Sequence, residues 1–236
     1  AFSDYPPNHP VAELREKIFG SGDPNAFPYE SLRNFYLRSS YNLLDLYGEV
    51  LDWYVAPYPR GSVNQTGAGR NALVQEAVEY HRRRGIRFAR YDNDGDNNID
   101  YFAVLWTGPT EGWASFWWGY FTRMGADPYR ADGKSLGSFS WQPSPDSFSP
   151  LTLIHETGHA LGLPDLYDYD PEIGPPGGVG GMDVMDSCQG DHNGFSKFLL
   201  GWIEPRVIGG GERLLTLRPS GTHADAALFM PGARPG

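Results

Sequence analysis

The sequence predicts an α/β domain with a smaller, loop-rich lobe, and three observations predict it. Apolar residues recur at helical spacing, most clearly Leu73, Val74, Ala77, Val78 and His81 on one face of residues 71–84. Residues 99–107 form an apolar run between a polar loop and a Gly-Pro pair, the pattern of a strand buried on both faces. After Gly162 the composition turns to Gly and Pro, with residues 174–181 almost wholly so. Helices alternating with strands belong to α/β folds, and the Gly/Pro-rich part reads as a lobe built from loops.

Taken in order, Pro10 suits a first helical turn and Val11, Leu14 and Ile18 follow at helical spacing, with Gly20 as the stop. Leu32, Phe35 and Tyr36 mark a second short helix. Residues 43–55 are apolar and aromatic without helical period and read as one or two strands. The helix of residues 71–84 ends at Gly85, and His81 belongs to its face as an ordinary helix residue, since no second ligand type stands three or four positions away. Residues 143–150 are a Pro/Ser loop. The expected organisation is one domain, with residues 1–162 as an upper lobe and residues 163–236 as a lower one.

At 236 residues, 40% apolar and 20% charged, the chain can bury a core of its own. A net charge of -10, with no basic cluster beyond Arg82-Arg83-Arg84, leaves no electrostatic footprint for nucleic acid or an anionic membrane. No apolar run approaches the roughly 18 residues of a membrane span, and the start lacks the basic and apolar regions of a signal peptide. The one cysteine, Cys188, leaves no internal disulfide and reads as buried rather than reactive. The abrupt opening on Ala1-Phe2-Ser3-Asp4 reads as that of a fragment, and a monomer is expected.

Chemistry concentrates in residues 153–168, LIHETGHALGLPDLYD. Ser149 can cap and Pro150 can open a helix running to about residue 161. At 3.6 residues per turn, His155 and His159 then lie about 40° apart on one face, the arrangement two imidazoles need to share a tetrahedral zinc. Glu156, one residue beyond the first imidazole, stands where a general base belongs. Gly162 can break the helix at positive φ and Pro164 prevents its resumption, which would turn Asp165, ten residues after His155, towards the metal as third ligand and leave a fourth position for water. Asp168, Glu172 and Glu204 are the other carboxylates open to that role. Among six histidines, His-Glu-x-x-His arises by chance with odds of about one in a hundred. An incidental helix or a closed structural zinc site is the bland alternative, and a closed site has no use for Glu156.

A second constellation, Asp92, Asp94, Asp96, Asn98 and Asp100, places oxygen ligands at alternate positions of a tight loop and resembles the first half of an EF-hand. It departs from that loop at Asn97, where a glycine is usual, and at Ala103, where a bidentate acid is usual. The expectation is a structural calcium site completed from elsewhere; the alternative is a solvated acidic turn whose side chains repel one another without a cation. The aromatic run Trp106, Trp113, Phe116, Trp117, Trp118, Tyr120 and Phe121 is read as core, with a stacking surface as its alternative.

These features together resemble the catalytic domain of the immune inhibitor A family of secreted bacterial metalloproteases, relatives of the metzincins. The resemblance extends over the Phe2-Ser3-Asp4 opening, the loop of residues 92–100, the Leu163-Pro164-Asp165-Leu166-Tyr167-Asp168 continuation, the segment Gly181-Met182-Asp183-Val184-Met185 and the His192 to Trp202 stretch ending Leu200-Gly201-Trp202. It implies a metzincin-like fold, a twisted mixed sheet with the zinc helix packed on it. It implies zinc on His155, His159 and Asp165, Glu156 as general base and acid, and Met185 in a Met-turn under the metal, with Met182 where the family usually has tryptophan. In that family an opening such as Phe2-Ser3-Asp4 follows a first core strand, so truncation at both ends is expected. The implied function is a secreted endopeptidase acting on protein or peptide substrates, which would pair along an edge strand placed at residues 134–141. A calcium-stabilised binding or adhesion module with a vestigial zinc site, or a zinc hydrolase of non-peptide amides, is the alternative.

Overall fold

The computed structural model describes residues 1–170, 172–173, 177–187, 189–210 and 214–230; Cys188 and part of the Gly/Pro-rich run lie outside them. In chain order the elements are α1 (Val11–Phe19), α2 (Leu32–Ser39), α3 (Gly67–Arg83), β1 (Phe102–Trp106), β2 (Tyr120–Arg123), β3 (Arg130–Ala131), β4 (Lys134–Ser135), β5 (Ser138–Pro143), α4 (Leu151–Ala160), α5 (Val184–Ser187), α6 (Gly194–Leu199), β6 (Arg206–Ile208) and β7 (Ala227–Phe229). This is a mixed α/β chain with small sheets. None of its described helices is long and apolar enough to cross a membrane. It divides into two compact units, Ala1–Glu16 with Glu49–Ala160, and Lys17–Gly48 with Leu161–Gly236.

In the first unit a three-stranded sheet has the order β1-β5-β2. β1 runs parallel to β5, with Phe102 opposite Phe139 and Val104 opposite Trp141; β2 runs antiparallel to β5, with Phe121 opposite Ser140. Two sequence expectations change here. The strand buried on both faces is β5, whose Phe139 to Gln142 are all buried, whereas β1 stands at an edge and leaves Ala103 exposed. The proposed substrate-pairing segment 134–141 is likewise no free edge: its β5 part is central, and in Lys134–Ser135, paired with β3 on one side, Ser135 bridges Asn98 on the other. Polar Ser140 and Gln142 concealed the central strand; Ser140 is satisfied from outside the strand, its Oγ lying 2.6 Å from the Tyr101 hydroxyl.

α3 begins four residues before the predicted start. The Thr66 side chain accepts from the Gly69 N–H, so the cap lies upstream of the apolar stripe, and Gly85 ends the helix at φ 95°. His81 is buried on this helix, and desolvation lowers its pKa. At the end of α1, by contrast, Gly20 is not among the residues at positive φ; Gly22 is, at 70°. Residues 43–55 form no strand. Their side chains anchor them instead, with the Trp53 indole donating to the His9 carbonyl at 2.9 Å and Leu51 and Tyr54 packing on the core; Ala56 alone pairs, in a parallel bridge with Phe2.

That core centres on Trp106, Trp117 and Trp141, with ring centroids 5.1 Å and 5.5 Å from Trp117 to its two neighbours. The Arg60 guanidinium lies 4.2 Å from the centre of the Trp117 ring. Trp106 and Trp117 therefore act as core, while Trp113 is 67% exposed. Trp117→Ala should lower unfolding stability by about 3–5 kcal/mol, the usual cost of emptying a tryptophan site, measurable as a fall in the urea midpoint.

The second unit packs α2, capped by Ser31, around an aromatic cluster in which the His192 ring meets Phe35, Tyr36 and Trp202. Asp183 is fully buried beside it. Its carboxylate accepts from the Met185 N–H at 2.8 Å, the Asn193 N–H at 2.9 Å and the Ser196 hydroxyl at 2.6 Å, and His192 Nδ1 faces it at 3.5 Å without a formed hydrogen bond. Burial pushes the Asp183 pKa up, but its contacts with His192, Ser196 and the two backbone donors outweigh that and leave it lowered. The depressed folded value sets the sign of the pH effect: Asp183 stabilises fully above the unfolded carboxylate pKa of about 3.9, and the contribution disappears as pH falls through the folded value. Asp183→Ala should therefore be less stable than the parent by about 2 kcal/mol or more at pH 7, with the gap narrowing in urea titrations below pH 4.

Candidate metal centre

α4 is placed by its own sequence and by the sheet beneath it. Pro150 provides the carbonyl that receives the Ile154 N–H at 2.8 Å, Ser149 Oγ lies 3.4 Å from the Leu151 nitrogen, and Gly162 leaves the helix at φ 97°. The buried stripe Leu153 to Gly158 includes both His155 and Glu156. Gly119 lets the helix approach closely, since a Cβ there would come 2.8 Å from Thr152 Cγ2.

One donor atom from each of His155, Glu156 and His159 falls within 4.8 Å of the others. The two imidazoles are nearly perpendicular, with centroids 5.0 Å apart, and Glu156 Oε2 is 3.9 Å from His159 Nε2. Phe121 on β2 covers His159 at 6.1 Å. Two imidazole nitrogens beside a carboxylate, largely removed from water, are a donor set that fits zinc.

Asp165 belongs to the second unit, where its carboxylate receives the Tyr169 hydroxyl. The adjoining backbone is fixed on both sides: Leu166 donates to the Met185 carbonyl at 2.9 Å and accepts from Val179 at 3.2 Å. Met185 is fully buried, and Met182 is 69% exposed. Asp168 accepts from the Asp170 N–H through Oδ1 at 2.9 Å, and its Oδ2 is buried without a hydrogen-bond partner, which makes it the strongest rival to Asp165 as a metal ligand. Glu172 and Glu204 are exposed.

In the acidic loop, oxygens of Asp92, Asp94 and Asp100 converge within 4.8 Å. Asp96 is turned to Asn98, accepting from its N–H and its amide, each at 2.7 Å. Asn97 adopts φ 69°, a left-handed conformation that asparagine tolerates where a glycine is usual. The repulsion expected among these groups is met by Lys134, whose ammonium lies 2.6 Å from Asp92 Oδ2 and 3.0 Å from Asn97 Oδ1. The Lys134 ammonium above all, with N–H bonds from Gly95 and Asn97, lowers the Asp92 pKa although desolvation opposes it. Nothing local in the sequence pointed to Lys134, 42 residues from Asp92.

No protein-family model matches the chain. It is 24% identical over 200 residues to immune inhibitor A from Bacillus thuringiensis subsp. alesti, an alignment covering 67% of this chain and 29% of that protein. It is 27% identical over 203 residues to the pre-pro-metalloprotease PrtV of Vibrio cholerae serotype O1, in strains M66-2 and ATCC 39315, covering 71% of this chain and 22% of PrtV. The chain thus spans less than a third of the length of these curated relatives. The similarity is distant, and it supports peptidase chemistry with a bound metal only in outline.

Proposed function

We propose that the chain is a metzincin-like, zinc-dependent endopeptidase domain, and the convergence of His155, Glu156 and His159 on α4 carries this reading. His155 and His159 would hold the metal, with Asp165 as third ligand and Met185 in the turn beneath. A bound zinc supplies Lewis acidity, lowering the pKa of water to about 7 and polarising a carbonyl oxygen. Glu156 takes the proton of the attacking water at its carboxylate and delivers it to the leaving amine. Its burial, 6% exposed, keeps competing solvent from that oxygen.

A protein or peptide substrate would lie extended along β2, an outer strand of the sheet that carries Phe121 beside His159. The oxygens of Asp92, Asp94 and Asp100, with Asp96 and Asn98 from the same loop, would hold a structural calcium in place of the Lys134 ammonium. An extracellular location follows from the resemblance to the immune inhibitor A family. Assays of casein, peptides and small amides with and without a zinc chelator test the substrate class. Chelator-sensitive cleavage of casein and peptides is the expected result, and cleavage of small amides alone contradicts it.

A further inference from the structure

The back of α4 is held by a chain of hydroxyl groups that the proposed chemistry does not use. At 3.6 residues per turn, Thr157 stands about 160° around the helix from both His155 and His159. Its hydroxyl donates to the Leu153 carbonyl at 2.7 Å and lies 3.2 Å from the Tyr101 hydroxyl, which lies 2.6 Å from Ser140 Oγ on β5. A hydroxyl carries one proton. With the Thr157 proton committed to Leu153, Thr157 accepts from Tyr101, and Ser140 donates to Tyr101.

Ser140 and Thr157 are buried. Burial also pushes the Tyr101 pKa up to about 12, so its hydroxyl keeps its proton throughout the neutral range. Thr152, near the start of the helix, lies over Gly119 so closely that a Cβ there would clash, and the hydroxyl chain fastens the helix's second half. The geometry matters because of leverage. An imidazole nitrogen lies on the order of 8 Å from the helix axis, so a roll of about 10° moves it roughly 1.4 Å, well beyond the ~0.2 Å tolerance of a zinc–ligand distance.

We infer that Tyr101 is a positioning residue whose hydroxyl, through Thr157, fixes the roll of α4 and so the direction in which His155, Glu156 and His159 face. The inference rests on the proposed zinc role of those residues. It is tested with the 236-residue chain, its Tyr101→Phe, Thr157→Val and Ser140→Ala variants and the Tyr101→Phe/Thr157→Val double variant. Zinc dissociation constants are measured by competition with a chromophoric chelator, beside the visible spectrum of the cobalt-substituted protein and the urea midpoint.

Tyr101→Phe and Thr157→Val should each weaken zinc about tenfold, the scale typical of losing a group that orients a metal ligand. Both should shift the cobalt bands, and the double variant should bind no more weakly than the more affected single one. Ser140→Ala keeps the Tyr101–Thr157 bond, so it should lower the urea midpoint while leaving zinc affinity within about twofold. Unchanged zinc affinity and cobalt spectrum in Tyr101→Phe, or losses that add in the double variant, would overturn the inference. If the parent binds zinc and Tyr101→Phe binds it equally, the inference alone fails; if the parent binds none, the proposed function fails and takes the inference with it.

Discussion

Glu156→Ala is expected to fold and bind zinc as the parent does, and to lose casein hydrolysis by about three orders of magnitude or more, the contribution of a well-placed acid–base group. The structure makes this result decisive, because Glu156 lies near enough to His159 to be counted with the imidazoles as a ligand, at 3.9 Å. A base and a ligand respond differently. Removing a base leaves the metal in place and stops proton transfer, whereas removing a ligand releases the metal. Zinc stoichiometry after dialysis separates the two. A variant that loses both zinc and activity would make Glu156 a ligand, and one that keeps near-parent hydrolysis would end its assignment as base.

The second large effect concerns the carboxylate beyond Gly162. Asp165→Ala should weaken zinc by at least two orders of magnitude, since a three-residue site then loses one of its protein ligands and its only proposed negative one. Asp168→Ala is the informative companion. Asp168 has the buried oxygen without a hydrogen-bond partner, and Asp165 has its carboxylate engaged by Tyr169. If zinc affinity falls with Asp168→Ala and holds with Asp165→Ala, the ligand assignment moves three residues along the chain while the role of the imidazoles stands.

What could be read from the sequence was what is local. Helix α4 was legible to within a residue, because the spacing of His155 and His159, the stop at Gly162 and the opening at Pro150 all act inside one short segment. Strand order was not: an apolar run such as residues 99–107 signals burial without saying how many neighbours a strand has, and β5 carries Ser140 and Gln142 in a central position. Residues 43–55 misled because aromatic density came from side chains anchoring an irregular segment, not from a ladder. Lys134 on β4, which reaches the acidic loop, and Tyr101 behind α4 join their partners across tens of residues, and such pairings leave no periodic trace. Asp183 passed unremarked beside the methionine it supports, since a buried carboxylate is recognisable only once its donors are in place.

Hydrolysis of protein is proposed to depend on zinc held by α4. Casein hydrolysis by the chain, followed through removal of metal by a chelator and restoration by stoichiometric zinc, tests it most directly. Activity should be lost on chelation, return with zinc, and be absent throughout in His155→Ala. Hydrolysis that persists after the metal is removed, or that survives in His155→Ala, contradicts it.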